Sequence, residues 1–172
     1  TMARLDKGEN VLLLLTPGSI LPEKGGDIRV GFSSIFWNTA WTNKQPPHTL
    51  GILCDPAHPA LAAFPTEGYS DYQWWDLVSN CNAMVLDDFP ADYRPVVQLI
   101  DDWFTNRKLG ILLEGKVGNG KLMVCSADLQ KDLDKRPAAR QLRQSILQYM
   151  ASDRFNPPAS LDPALVKALY QK

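Results

Sequence analysis

The side chains able to carry covalent or acid–base chemistry in this chain are three cysteines, two histidines and a scatter of carboxylates. Cys54 and His58 stand four apart, one helical turn, but Pro56 and Pro59 interrupt any helix that would align them as nucleophile and base. Neither Cys54 nor Cys81, in Ser79-Asn80-Cys81-Asn82, has the flanking glycines of a tight strand-to-helix elbow. Cys125, inside Leu122-Met123-Val124-Cys125, reads as a small buried hydrophobe. No C-x-x-C unit occurs, so zinc and dithiol redox chemistry have no support; a Cys54–Cys81 disulfide stays open. His48 and His58, without a cysteine constellation nearby, predict no metal site, and His58 reads as a structural hydrogen-bonding residue.

Glycosidic cleavage needs two carboxyl groups roughly 5–10 Å apart across the sugar. Asp87-Asp88 and Asp101-Asp102 are sequence neighbours, which on a strand point to opposite faces. Glu67 and Asp71 can converge at a loop. Turn chemistry and solvation are the expected roles of all six. Gly118-Asn119-Gly120-Lys121 lacks the spacing of a phosphate-binding loop and predicts a hairpin turn. No catalytic residue, cofactor or metal ligand is assigned.

Binding chemistry is richer. Residues 31–75 hold four of the five tryptophans, both histidines and five prolines, a composition that suits a long ordered loop over a scaffold. Trp37, Trp41, Trp74 and Trp75 offer flat rings, and Asn38, Asn43, Gln45 and His48 offer hydrogen bonds. Three readings stand, in this order: core under the loop, docking against a neighbouring domain, and stacking on sugar. Trp37 and Trp41, amid Phe32, Ile35 and Phe36, are expected to be mainly structural. The candidate sugar or interdomain contacts are Trp37, Asn38, Trp41, His48, Trp74 and Trp75.

The elements that must position these residues read as mixed α/β. Val11–Leu15 is a continuous apolar run, as in a strand buried on both faces, and Asp6-Lys7-Gly8 before it is a helix end. Further strands are expected at 49–54 and 83–86, then a meander of 96–104, 109–117 and 121–127, although 96–104 also fits helical spacing. Residues 58–64 predict a helical turn, and 71–78 a helix capped by Ser70. Residues 136–150 predict an amphipathic helix with Leu142, Ile146, Leu147 and Met150 on one face, and 161–171 a tail helix capped by Ser160. The expected organisation is an α/β domain over 1–150, followed by a linker and short tail helix over 151–172.

Composition bounds the class. At 172 residues, 45% hydrophobic and 22% charged, the chain suits a folded domain with a core. A formal net charge of −1 gives no electrostatic case for nucleic acid or an anionic membrane. The longest apolar run, 11–15, is far too short to span a bilayer. The opening Thr1-Met2-Ala3 reads as a cut from a longer polypeptide.

Three long phrases, SIFWNTAW, TLGILCDPAHPALAAFPTE and KVGNGKLMVCSADL, resemble the C-terminal region of bacterial glycoside hydrolase family 2 proteins, the β-galactosidase-like glycosidases, over about Val11 to Met150. The resemblance implies an accessory domain with a Rossmann-like three-layer sheet of the class I glutamine-amidotransferase type. The family's catalytic glutamates lie on a TIM barrel of about 250 residues, for which this chain is too short. What the resemblance implies is therefore a non-catalytic, structural or interdomain role in an exported glycosidase acting on terminal sugars. Its partners would be the other domains of that enzyme. A carbohydrate-binding module using loop 31–75 is the alternative.

Overall fold

The computed structural model describes residues 1–34, 42–43 and 45–171. The chain runs α1 (Met2–Asp6), β1 (Asn10–Leu14), β2 (Gly51–Cys54), α2 (Tyr72–Ser79), β3 (Met84–Val85), β4 (Val97–Ile100), β5 (Leu109–Val117), β6 (Gly120–Cys125), α3 (Pro137–Met150) and α4 (Pro163–Ala168). Short 3-10 turns cover Pro22–Lys24 and Pro59–Leu61.

The six strands form one sheet in the order β1-β6-β5-β4-β2, with β3 pairing to the start of β5. Only β1 and β6 run parallel; the other pairs are antiparallel. This overturns the expected Rossmann-like sheet of glutamine-amidotransferase type: the fold is a mixed six-stranded sheet with four short helices. The physical reason lies in the connections. β4, β5 and β6 are joined by short turns, which link only antiparallel neighbours, whereas a parallel sheet needs a long crossover between successive strands.

Side-chain alternation builds a core on each face of the sheet. Met123 and Cys125 of β6 join Ile52, Leu99, Trp74, Leu142 and Ile146 on the side of α2 and α3. Leu122 and Val124 join Leu5, Leu113, Phe89, Val166 and Leu169 on the side of α1 and α4. Phe155, Leu161, Val166 and Leu169 are all buried, so residues beyond 150 pack into the same body.

Most elements follow the sequence. Gly118 has φ 59° and turns β5 into β6, pairing Val117 with Gly120. A Cβ on Gly120 would lie 2.5 Å from the Glu9 carbonyl and 2.8 Å from Leu5 Cα, so the turn must pass against α1 without a side chain. β4 is a strand but stops at Ile100; Trp103 and Phe104 lie in the turn that follows, half exposed. Both serine caps are displaced by an aspartate one or two residues further on. Asp71 accepts from Gln73 N at 3.1 Å, and Asp162 from Ala164 N at 2.7 Å. Ser70 Oγ instead accepts from Ile52 N at 2.8 Å, tying the loop to β2. On α3 the buried face is Ala139, Leu142, Ser145, Ile146 and Tyr149, while Leu147 is exposed and Met150 is half-buried.

Candidate functional site

β5 is nine residues long and outruns β4: the first residue of β4, Val97, pairs with Leu112. Glu114 lies two residues further along, where no neighbouring strand meets that edge. The Tyr93 hydroxyl takes the missing strand's place. It donates to Glu114 O at 2.9 Å and accepts from Glu114 N at 3.2 Å. Burial raises the Tyr93 phenol well above its ordinary pKa, against the opposing hydrogen bond to the Glu114 backbone.

The Glu114 side chain is 7% exposed and forms the floor of a cleft of about 530 Å³. Asp55, His58, Asp92, Arg94 and Pro158 contribute to its walls. Oε2 accepts from the Tyr149 hydroxyl of α3 at 2.8 Å, and Oε1 faces His58 Nε2 at 3.4 Å. Burial, then the bond to Glu114, keep the Tyr149 phenol protonated far beyond its ordinary range. His58 Nδ1 accepts from Ala60 N at 3.2 Å at the start of the Pro59–Leu61 turn. That assigns the imidazole proton to Nε2, facing the carboxylate. Through Nδ1, His58 makes the kind of structural hydrogen bond expected of it, at the start of the Pro59–Leu61 turn.

The other chemistry candidates are placed apart from this cleft. Cys54 donates to the Glu67 carbonyl, and burial, with Asp55 and Asp71 nearby, pushes its thiol up to about 11. Burial pushes Cys125 up to about 12 and Cys81 higher still, with Cys125 as the lesser cause at Cys81. All three are free thiols, so Cys54 and Cys81 are not joined. None has the depressed pKa that makes a thiolate nucleophile. The adjacent aspartates do local work. Asp87 accepts from Lys108 N, Asp88 pairs with Lys24, Asp101 is gripped by the Arg107 fork, and Asp102 caps Phe104 N and Thr105 N. Asp71 is spent as the cap of α2. No group of three or more His, Cys, Asp or Glu among the described residues comes together as a metal site.

The aromatic candidates divide. Trp37, Asn38 and Trp41 lie outside the described residues. Trp74 is wholly buried, edge-on to Phe64 at 5.2 Å, with its indole N–H donating to Thr66 Oγ1 at 2.8 Å. Trp75, the next residue on α2, is 53% exposed and meets Phe32 edge-on at 5.8 Å. It lines a second hollow of about 560 Å³ between α2 and the start of α3, together with Tyr72, Arg136 and Arg140. His48 pins the loop: its backbone N–H donates to Arg29 O, and its Nδ1 accepts from Arg29 N. Thr49 Oγ1 both accepts from Gly31 N and donates to Gly31 O, so the two ends of segment 31–49 are joined by buried bonds.

Sequence reasoning passed over Glu114, Tyr149 and Tyr93. A signal existed for two of them. Glu114 continues the inward alternation of an apolar strand, and Tyr149 sits seven residues after Leu142 on the buried face of α3. No helix among the described residues is long and apolar enough to cross a membrane.

Compared with known proteins, residues 1–171 match the family described as Domain of unknown function (DUF8487), and the chain belongs to that family. No curated protein matches it.

Proposed function

We propose that this DUF8487 member serves as a non-catalytic accessory domain of a larger glycan-degrading enzyme of the glycoside hydrolase family 2, β-galactosidase-like kind. Its task is to dock on neighbouring domains. The resemblance of three long phrases of the chain supports the family of the enzyme. The observation that carries the docking role is an uncovered apolar face at the β2 side of the sheet.

On β2 and β4 the inward residues Ile52, Val97 and Leu99 are buried, while Leu53 and Ile100, on the opposite face, are 52% and 39% exposed. Tyr69 forms an antiparallel bridge to Leu53, which places it on the same face, and it is 62% exposed. Phe104, just past β4, is 59% exposed. Large aliphatic and aromatic groups exposed at this end of the sheet mark an interaction surface. The state of the chemical groups agrees with a supporting role: the buried carboxylate has its partners, and the cysteines are held as thiols.

The isolated chain should release no chromophore from nitrophenyl β-galactoside or β-glucuronide. Turnover abolished by Glu67→Gln, Asp71→Asn or Glu114→Gln would overturn the non-catalytic assignment.

A further inference from the structure

The groove between α2 and α3 lies on the opposite side of the sheet from the docking face, and its chemistry is different. Tyr72, 92% exposed, and Trp75, 53% exposed, are three apart on α2 and therefore neighbours on its surface. Opposite them stand Lys135, Arg136 and Arg140. Asp76 is the one carboxylate among the described residues that line the groove, and Arg136 Nε already holds it at 2.9 and 3.1 Å. The lining is thus net positive on a chain whose formal net charge is −1. Among the described residues no carboxylate pairs with Lys135 or Arg140. Beneath them, Arg136 Nη2 is buried without a hydrogen-bond partner.

Two glutamines complete the lining. Gln73 donates its amide N–H to the Pro65 carbonyl and Gln141 to the Ala63 carbonyl. That leaves both side-chain carbonyl oxygens as acceptors facing no donor among the described residues. The groove therefore asks for three things in one ligand: an apolar flat face for the aromatic rings, an anionic group for the two unpaired cations, and hydroxyl donors for the amide oxygens. An acidic peptide such as oligoglutamate supplies the anion and N–H donors but no apolar flat face. A pyranose carrying a carboxylate meets all three, through its C–H face, its acid group and its ring hydroxyls.

We propose that this groove binds an acidic sugar unit, with its ring against Trp75 and Tyr72 and its carboxylate between Arg140 and Lys135. The test is calorimetric titration of the chain with trigalacturonate and with a glucuronate-ended disaccharide, beside neutral galactose oligomers and a short oligoglutamate. One or both acidic saccharides should bind at least about tenfold more tightly than the neutral oligomers and the peptide, a difference of about 1.4 kcal/mol. Trp75→Ala and Arg140→Gln should each weaken that binding about tenfold or more. Neither should move the melting temperature, since both side chains are exposed. Failure of both acidic saccharides to bind would overturn the proposal. So would equal binding of neutral sugar, or affinity that survives Arg140→Gln. Oligoglutamate binding as tightly as the saccharides would reassign the groove to an acidic peptide.

Discussion

The Glu114 cleft and the α2–α3 groove enclose similar volumes, about 530 and 560 Å³, and their polar groups are in opposite states. In the cleft, the buried carboxylate holds the Tyr149 phenol, His58 is bonded to the backbone of its own turn, and the Tyr93 phenol bonds the β5 edge at Glu114, which no described strand covers. In the groove, two cations and two amide oxygens have no partners among the described residues and lie beside exposed aromatic rings. Volume alone would rank the two sites equally. Hydrogen-bond accounting separates them: groups already paired stabilise the fold, and unpaired groups are available to a ligand.

The sharpest way to break that contrast is to cut the adjacent tryptophans. Trp74→Ala removes a fully buried indole from the core and should destabilise the chain by about 3–5 kcal/mol in denaturant unfolding. Trp75→Ala should stay within about 0.5 kcal/mol of the parent. Equal losses would mean that the groove wall is core and not a binding surface.

The same logic applies on α3. Leu142→Ala should lower stability by about 2–5 kcal/mol, because Leu142 is buried between α3 and the sheet. Leu147→Ala, on the exposed side, should change the melting temperature little. If the two were equal, the assigned buried face would be wrong.

Within the cleft, Glu114→Ala strands the Tyr149 hydroxyl. The orphaned hydroxyl should subtract about 1–3 kcal/mol, and Glu114→Gln should lose less by keeping an acceptor. No loss from either variant would show the cluster to be dispensable to the fold and reopen a chemical role for it.

The smallest effect is kinetic. Because burial and two nearby aspartates raise Cys54 to about 11, its thiolate fraction near neutral pH is below that of an ordinary thiol with a value of 9.0. Iodoacetamide labelling of Cys54 should therefore be slow at neutral pH and keep accelerating between pH 9 and about 11. A rate that levels off below pH 9 would contradict the burial given for it.

Legibility in the sequence follows how local each determinant is. The β5–β6 hairpin was readable because Gly118-Asn119-Gly120 is a self-contained turn code. The apolar run of β1 marked a strand buried on both faces; it is a strand and pairs parallel to β6, but Leu12, Leu13 and Leu14 are only half-buried. The Rossmann-like sheet that the resemblance implied is not formed, because the turns joining β4, β5 and β6 are too short for crossovers. The caps were misplaced by one residue at Ser70 and by two at Ser160, since serine and aspartate are both good caps and Ser70 is needed on β2. The fates of Trp74 and Trp75 were not readable at all: about 100° of helix rotation separates them, and which one turns inward depends on where α2 meets Phe64. Glu114 was overlooked because catalytic carboxylates were sought in pairs, whereas this one is paired with groups from distant segments at positions 58 and 149.

The docking role is tested most directly by oxidative footprinting of Tyr69 and Phe104. The chain alone is compared with the chain joined to the glycosidase domains proposed as its partners, with Tyr72, 92% exposed, as the internal standard. Tyr69 and Phe104 should react readily in the chain alone and become protected in the joined protein, while Tyr72 stays reactive in both. Equal modification of Tyr69 and Phe104 in the two samples would contradict docking through this face.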